Sequence, residues 1–121
     1  MNAALWTCVA LVSGTGAVLR YALHSAVQRR RADAFPLGTL AVNILGCLIL
    51  GLLHGAGVSG DGALLVGTAL LGSFTTFSAW MFETEFLADK DHGSIAAANV
   101  AISLVLGLAA VAAGWAVGAV L

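Results

Sequence analysis

Gly72–Ser73–Phe74–Thr75–Thr76–Phe77–Ser78–Ala79–Trp80 is the stretch on which the reading of this chain turns. It lies inside a long apolar segment, yet four of its nine residues carry a hydroxyl. Backbone buried in lipid must satisfy its own amides, so it is ordinarily a closed helix. A glycine followed by hydroxyl residues is where such a helix can open, because nearby side chains take up the freed groups. An opening at membrane depth belongs against protein or a watery cavity, where freed carbonyls can face a cation. Phe74, Phe77 and Trp80 recur every three residues and would form one row on a continuous helix. The stretch reads as an ion site, and the remainder of the chain as its housing.

Outward from it, the composition says what kind of housing this is. The chain has 121 residues, 60% hydrophobic and 9% charged, against about 25% charged in an ordinary soluble domain. The charges are confined to Arg20–Asp33, Asp61 and Glu83–Asp91. A helix packed on a soluble core needs polar residues along its outer face, and long stretches here have none. The chain is therefore expected in a membrane.

At about 20 apolar residues per crossing, four helices are expected, at about residues 3–26, 37–56, 61–87 and 94–121. Together they make an all-α, four-helix transmembrane domain whose third helix is broken near its middle. No Lys or Arg precedes Arg20, so the first segment lacks the basic start of a cleaved signal and is expected to stay as a helix. Arg20 and Arg29–Arg31 follow helix one, Lys90 follows helix three, and the opposite side has no basic residue. Positive loops stay in the cytoplasm, which places both connections inside the cell membrane and both termini outside.

The net charge of −1 and the lack of a basic face exclude nucleic-acid binding. Cys8 and Cys47 sit in apolar segments as small packing residues, and the three histidines lack metal-ligand spacing. No nucleophile–base pair or phosphate loop is present, so no enzyme is expected.

Several side chains carry two readings each. Thr39, Asn43 and Cys47 lie four apart and share a helix face. Asn43 either bonds a neighbouring helix or lines a pore. Thr39, Thr75, Thr76, Ser78 and Ser103 either bond back to their own helix carbonyls or form a track of neutral donors for a small anion. Phe77 and its neighbours either fill a core or turn their electropositive ring edges to an anion. Arg20 and Glu83 are either solvated interface charges or the lining of a pore mouth.

Three segments carry a family resemblance: Gly16-Ala-Val-Leu-Arg20; Pro36-Leu-Gly-Thr39-Leu-Ala-Val-Asn43-Ile-Leu-Gly46; and Gly72–Trp80 followed by Glu83. In this order the chain resembles the fluoride channel family of small four-helix membrane proteins. The resemblance implies two antiparallel subunits with two fluoride pores along their interface. It also implies a central structural sodium ion on backbone carbonyls, which fall here on Gly72 and Thr75. The pore-facing aromatic falls on Phe77, a donor on Ser78, the helix-two amide on Asn43 and the basic mouth residue on Arg20. This sequence departs from the family with Ala79 in place of a hydroxyl, Trp80 in place of the second phenylalanine, and Asn99 where an aromatic hydroxyl is expected. Thr39, Ser103 and Glu83 complete the expected pore and mouth. The implied activity is passive fluoride export through a pairing with itself or with a homologous inverted subunit. The competing readings are a small multidrug exporter, which would need a carboxylate embedded in the membrane, and a non-conducting structural subunit of a heterodimer.

Overall fold

The computed structural model describes residues 2–30 and 35–121, all helical apart from short connections. Among the described residues, four segments are long and apolar enough to cross a membrane: Ala3–Arg30, Leu37–Gly55, Gly60–Asp89 and Gly93–Gly118. The first two and the last are single helices, α1 (Ala3–Arg30), α2 (Leu37–Gly55) and α6 (Gly93–Gly118). The third span is composite: α3 (Gly60–Gly62), a π-helix (Ala63–Leu71), α4 (Gly72–Phe74) and α5 (Ser78–Asp89). Arg31 and Asp33, part of the first basic connection, lie outside the described residues.

The first helix continues past residue 26, the expected end, to Arg30. Its last turn is anchored by Gln28, whose side-chain oxygen accepts a hydrogen bond from Gly38 N at 3.1 Å. At the other end of α2, Gly57 adopts φ 70°. Gly57 N and Val58 N turn back to His54 O and Leu53 O, a paired C-terminal closure that suits glycine. The same closure ends α5, where Asp91 takes the left-handed position at φ 60°. There Asp91 N and His92 N return to Ala88 O and Leu87 O.

Helices α2 and α6 run side by side in the same direction through glycines. An added Cβ at Gly51 or Gly55 would meet backbone atoms of Val111 or Trp115, and one at Gly114 or Gly118 would meet those of Leu48 or Leu52. Small residues let membrane helices approach backbone to backbone, where dispersion replaces the hydrophobic effect as the driving force. Two further glycines grip the third span: Gly16 of α1 abuts Ser73 and Leu70, and Gly46 of α2 abuts Thr75. Val42, Leu71 and Phe74 form the buried core behind this grip. Large apolar side chains such as Leu11, Leu108 and Trp115 remain exposed, as suits a surface facing lipid.

The first limb of the third span is a π-helix over Ala63–Leu71, a wide-turn geometry often found at functional sites. The aromatic row is split: Phe74 is buried in the core at 6% exposure while Phe77 stands 69% exposed. The three-residue spacing makes a row only if the helix is continuous, and Thr75 at ψ 162° is extended.

Candidate ion pathway at the break in the third span

The break is held open by a small set of hydrogen bonds. Thr75 directs both its N–H and its hydroxyl to Leu71 O, at 2.9 and 2.8 Å. The Ser73 hydroxyl donates to Ala69 O and Leu70 O at 2.7 and 2.9 Å. Both side chains thus bond back to their own helix and close off the last carbonyls of the first limb. Asn43 then reaches across from α2. Its Nδ2 donates to Thr76 O at 2.8 Å and its Oδ1 accepts from Thr76 N at 2.9 Å, so one amide side chain satisfies both backbone groups of the residue that follows the extended Thr75. Thr76 lies two residues ahead of α5, and its Oγ1 accepts from Ala79 N in the first turn of that helix at 3.2 Å.

These bonds free two carbonyls. In an α-helix Gly72 O would receive Thr76 N–H and Thr75 O would receive Ala79 N–H. Here the first donor goes to Asn43 and the second to the Thr76 hydroxyl. Gly72 and Thr75 are also the residues on which the family resemblance lets the carbonyls for a cation fall.

Beside the break lies a cavity of about 460 Å³, lined among others by Asn43, Gly72, Thr75, Phe77, Trp80 and Ser103. Asn43 has two N–H donors, and Thr76 O takes one. Phe77 and Trp80 meet edge to face at 5.7 Å and 80°, which suits the charge distribution of aromatic rings.

Not every expected pore residue reaches this cavity. Asn99 is 1% exposed; its Nδ2 donates to Thr84 Oγ1 at 2.9 Å and its backbone O accepts from Trp80 Nε1 at 3.4 Å. Asn99 therefore ties α6 to α5 behind the cavity, because a buried amide takes the nearest polar partners. The extra N–H of Trp80 is used in the same tie. Ser78 lies outside the lining, with its Oγ 3.3 Å from Thr76 Oγ1. Thr39, buried at 1% exposure, donates its hydroxyl to Glu83 Oε1 at 2.8 Å. Arg20 is half-buried on α1 and lines neither this cavity nor the one around Glu83.

Sequence reasoning missed Thr84, which joins Asn99 to the Trp80 carbonyl by a 2.7 Å bond of its own. It also missed His24, whose Nε2 lies 3.6 Å from Glu83 Oε1. The available signal was position: His24 is one turn beyond Arg20 on the same face.

Comparisons with known proteins agree with this architecture. The family described as CrcB-like protein, Camphor Resistance (CrcB), matches residues 7–115. The chain is 50% identical over 107 residues to a protein of Mycolicibacterium paratuberculosis named fluoride-specific ion channel FluC 2, covering 88% of each chain. It is 46% identical over 114 residues to the FluC 2 protein of Mycobacterium tuberculosis, covering 94% of this chain and 90% of that one. A FluC 2 protein of Haloarcula marismortui is 46% identical over 100 residues, covering 83% and 82%. With four spans able to cross the bilayer and a family match along nearly all of them, the chain belongs to the CrcB-like protein family and is a multi-pass protein of the cell membrane.

Proposed function

We propose that this chain is the subunit of a fluoride-selective channel that lets fluoride leave the cytoplasm passively, lowering its toxicity. The relatives' names supply the ion. The observation that carries the proposal is the cavity at the break, where Asn43, Phe77 and Ser103 meet without a fixed charge. Neutral donors and ring edges replace an anion's water while holding it weakly, and conduction needs binding sites that release as readily as they bind. Because Phe77 projects from the subunit at 69% exposure, the pathway is completed by a second copy or a homologous subunit packed in the inverted orientation. Phe77→Ile should reduce fluoride efflux from liposomes at least ~100-fold (about 2.7 kcal/mol at 1.36 per decade) while the detergent-solubilised particle keeps its dimeric mass. Unchanged efflux would remove Phe77 from the pathway. Wild-type protein that passes no fluoride would be a structural subunit.

The carbonyls of Gly72 and Thr75, deprived of their helical donors, suit a structural sodium ion. Oxygen-only ligation by unwound backbone is the usual way such spans hold this ion. Its positive charge would favour an anion in the adjoining cavity. Protein prepared in potassium or in an organic cation should therefore lose at least ~10-fold in efflux and regain it when sodium is added (about 1.4 kcal/mol). Full efflux after rigorous sodium removal would exclude the site.

A further inference from the structure

A second cavity, of about 600 Å³, lies where α1 and α5 end; its lining includes His24, Gln28, Glu83, Phe86, Lys90 and His92. One wall carries the Glu83 carboxylate. Oε1 accepts from the Thr39 hydroxyl at 2.8 Å and lies 3.6 Å from His24 Nε2, while Oε2 is buried with no hydrogen-bond partner among the described residues. Thr39 is one turn from Asn43 on the same face of α2, so the carboxylate sits directly ahead of the neutral donors of the pathway. An uncompensated negative charge there repels an incoming anion.

His24 is built into this position. Its ring packs on α2 at Gly38, where an added Cβ would lie 2.8 Å from His24 Cδ2, so the imidazole is held on the Glu83 side. The other groups around it come from each neighbouring element. On α1, Arg20 is one turn before it, and one turn after it Gln28 is engaged with Gly38 N. Helix α2 offers the Thr39 hydroxyl and no titratable group. From α5 comes Lys90, whose ammonium stands 5.6 Å over the Phe86 ring, and from the following turn His92. Among the described residues His24 is the only basic side chain that reaches the Glu83 carboxylate.

We infer that His24 is a positioning residue for Glu83 and makes fluoride passage through this mouth increase with acidity; the inference rests on the channel function proposed above. With both ring nitrogens protonated, the imidazolium stands 3.6 Å from Oε1 and its charge offsets that of the carboxylate; the neutral ring offers no such charge. Histidine is the side chain whose charge changes across the physiological range. The device suits its task, since acid surroundings drive hydrogen fluoride inward as a neutral acid and so raise the internal fluoride load.

The test is fluoride efflux from liposomes at pH 7.5 and 5.5, equal on both sides, with protein-free vesicles subtracted. Wild-type efflux should rise roughly threefold to tenfold on acidification. His24→Gln should flatten the profile at the lower rate, and His24→Arg at the higher one, while His92→Gln keeps the wild-type rise. His24→Arg also guards against a folding defect in the glutamine variant, because both cannot flatten the profile at opposite levels by misfolding. A flat wild-type profile, or a full rise in His24→Gln, would overturn the role of His24. Absence of efflux at both pH values would instead overturn the channel function.

Discussion

Asn43→Asp should reduce fluoride efflux to the background of protein-free liposomes. Aspartate retains the acceptor for Thr76 N–H but sets a second oxygen against Thr76 O, where Asn43 Nδ2 now donates at 2.8 Å. It also places a fixed negative charge in the wall of the cavity shared with Phe77 and Ser103. Two like charges about 4 Å apart at an intermediate dielectric repel by about 4 kcal/mol, about a thousandfold in anion occupancy. Losing one hydrogen bond at the break costs about 1–3 kcal/mol of stability, so the variant should still purify as a single species with a lowered melting temperature. The decisive readout is efflux per folded particle. Wild-type efflux from Asn43→Asp would show that the anion does not pass this side chain, and the neutral-donor mechanism would fail with it.

Gly114→Val should prevent the chain from reaching a stable folded state. At this position α6 lies against α2 so closely that an added Cβ collides with Leu48 O and lies 2.9 Å from Leu52 N. Those neighbours are backbone, and no rotamer change can move them aside. The helices would have to part, losing the Gly51, Gly55 and Gly118 contacts as well. In lipid no hydrophobic effect draws two apolar helices together, so this close fit is what stabilises their pairing. Overpacking at a rigid contact costs about 3 kcal/mol or more, a large part of a domain's total stability. The check is size-exclusion and thermal melting in detergent, with Gly14→Ala as comparison because a Cβ there meets nothing within 4 Å. A Gly114→Val protein as monodisperse and heat-stable as Gly14→Ala would show that α2 and α6 are not in backbone contact.

The legible parts of this molecule were those written in local composition. Hydrophobic length alone yields the four spans, but not all of their ends, since α1 runs on through Arg29 and Arg30. The hydroxyl cluster after Gly72 marks the interruption, since nearby hydroxyls can take up the backbone groups an opened helix frees. Even so, the consequence of the interruption for side-chain direction was not legible. Phe74, Phe77 and Trp80 are evenly spaced in sequence, yet one extended residue at Thr75 sends Phe74 to the core and leaves Phe77 exposed.

Which polar residues belong to the cavity was likewise decided by partners far away in sequence. Asn43 and Asn99 are both amides in apolar helices. The first meets a free backbone residue at Thr76 and stays at the cavity; the second meets Thr84 and Trp80 and is buried. Thr39 and Glu83 are 44 residues apart and share one hydrogen bond; His24 joins them from a third helix. By itself the sequence determined that this is a four-span membrane protein with an opened third span, because lipid penalises every unpaired amide and so forces composition to report topology. Only the tertiary structure decided which hydroxyl, amide and imidazole face the cavities, because each polar group in an apolar interior turns to the nearest partner that packing brings within about 3 Å.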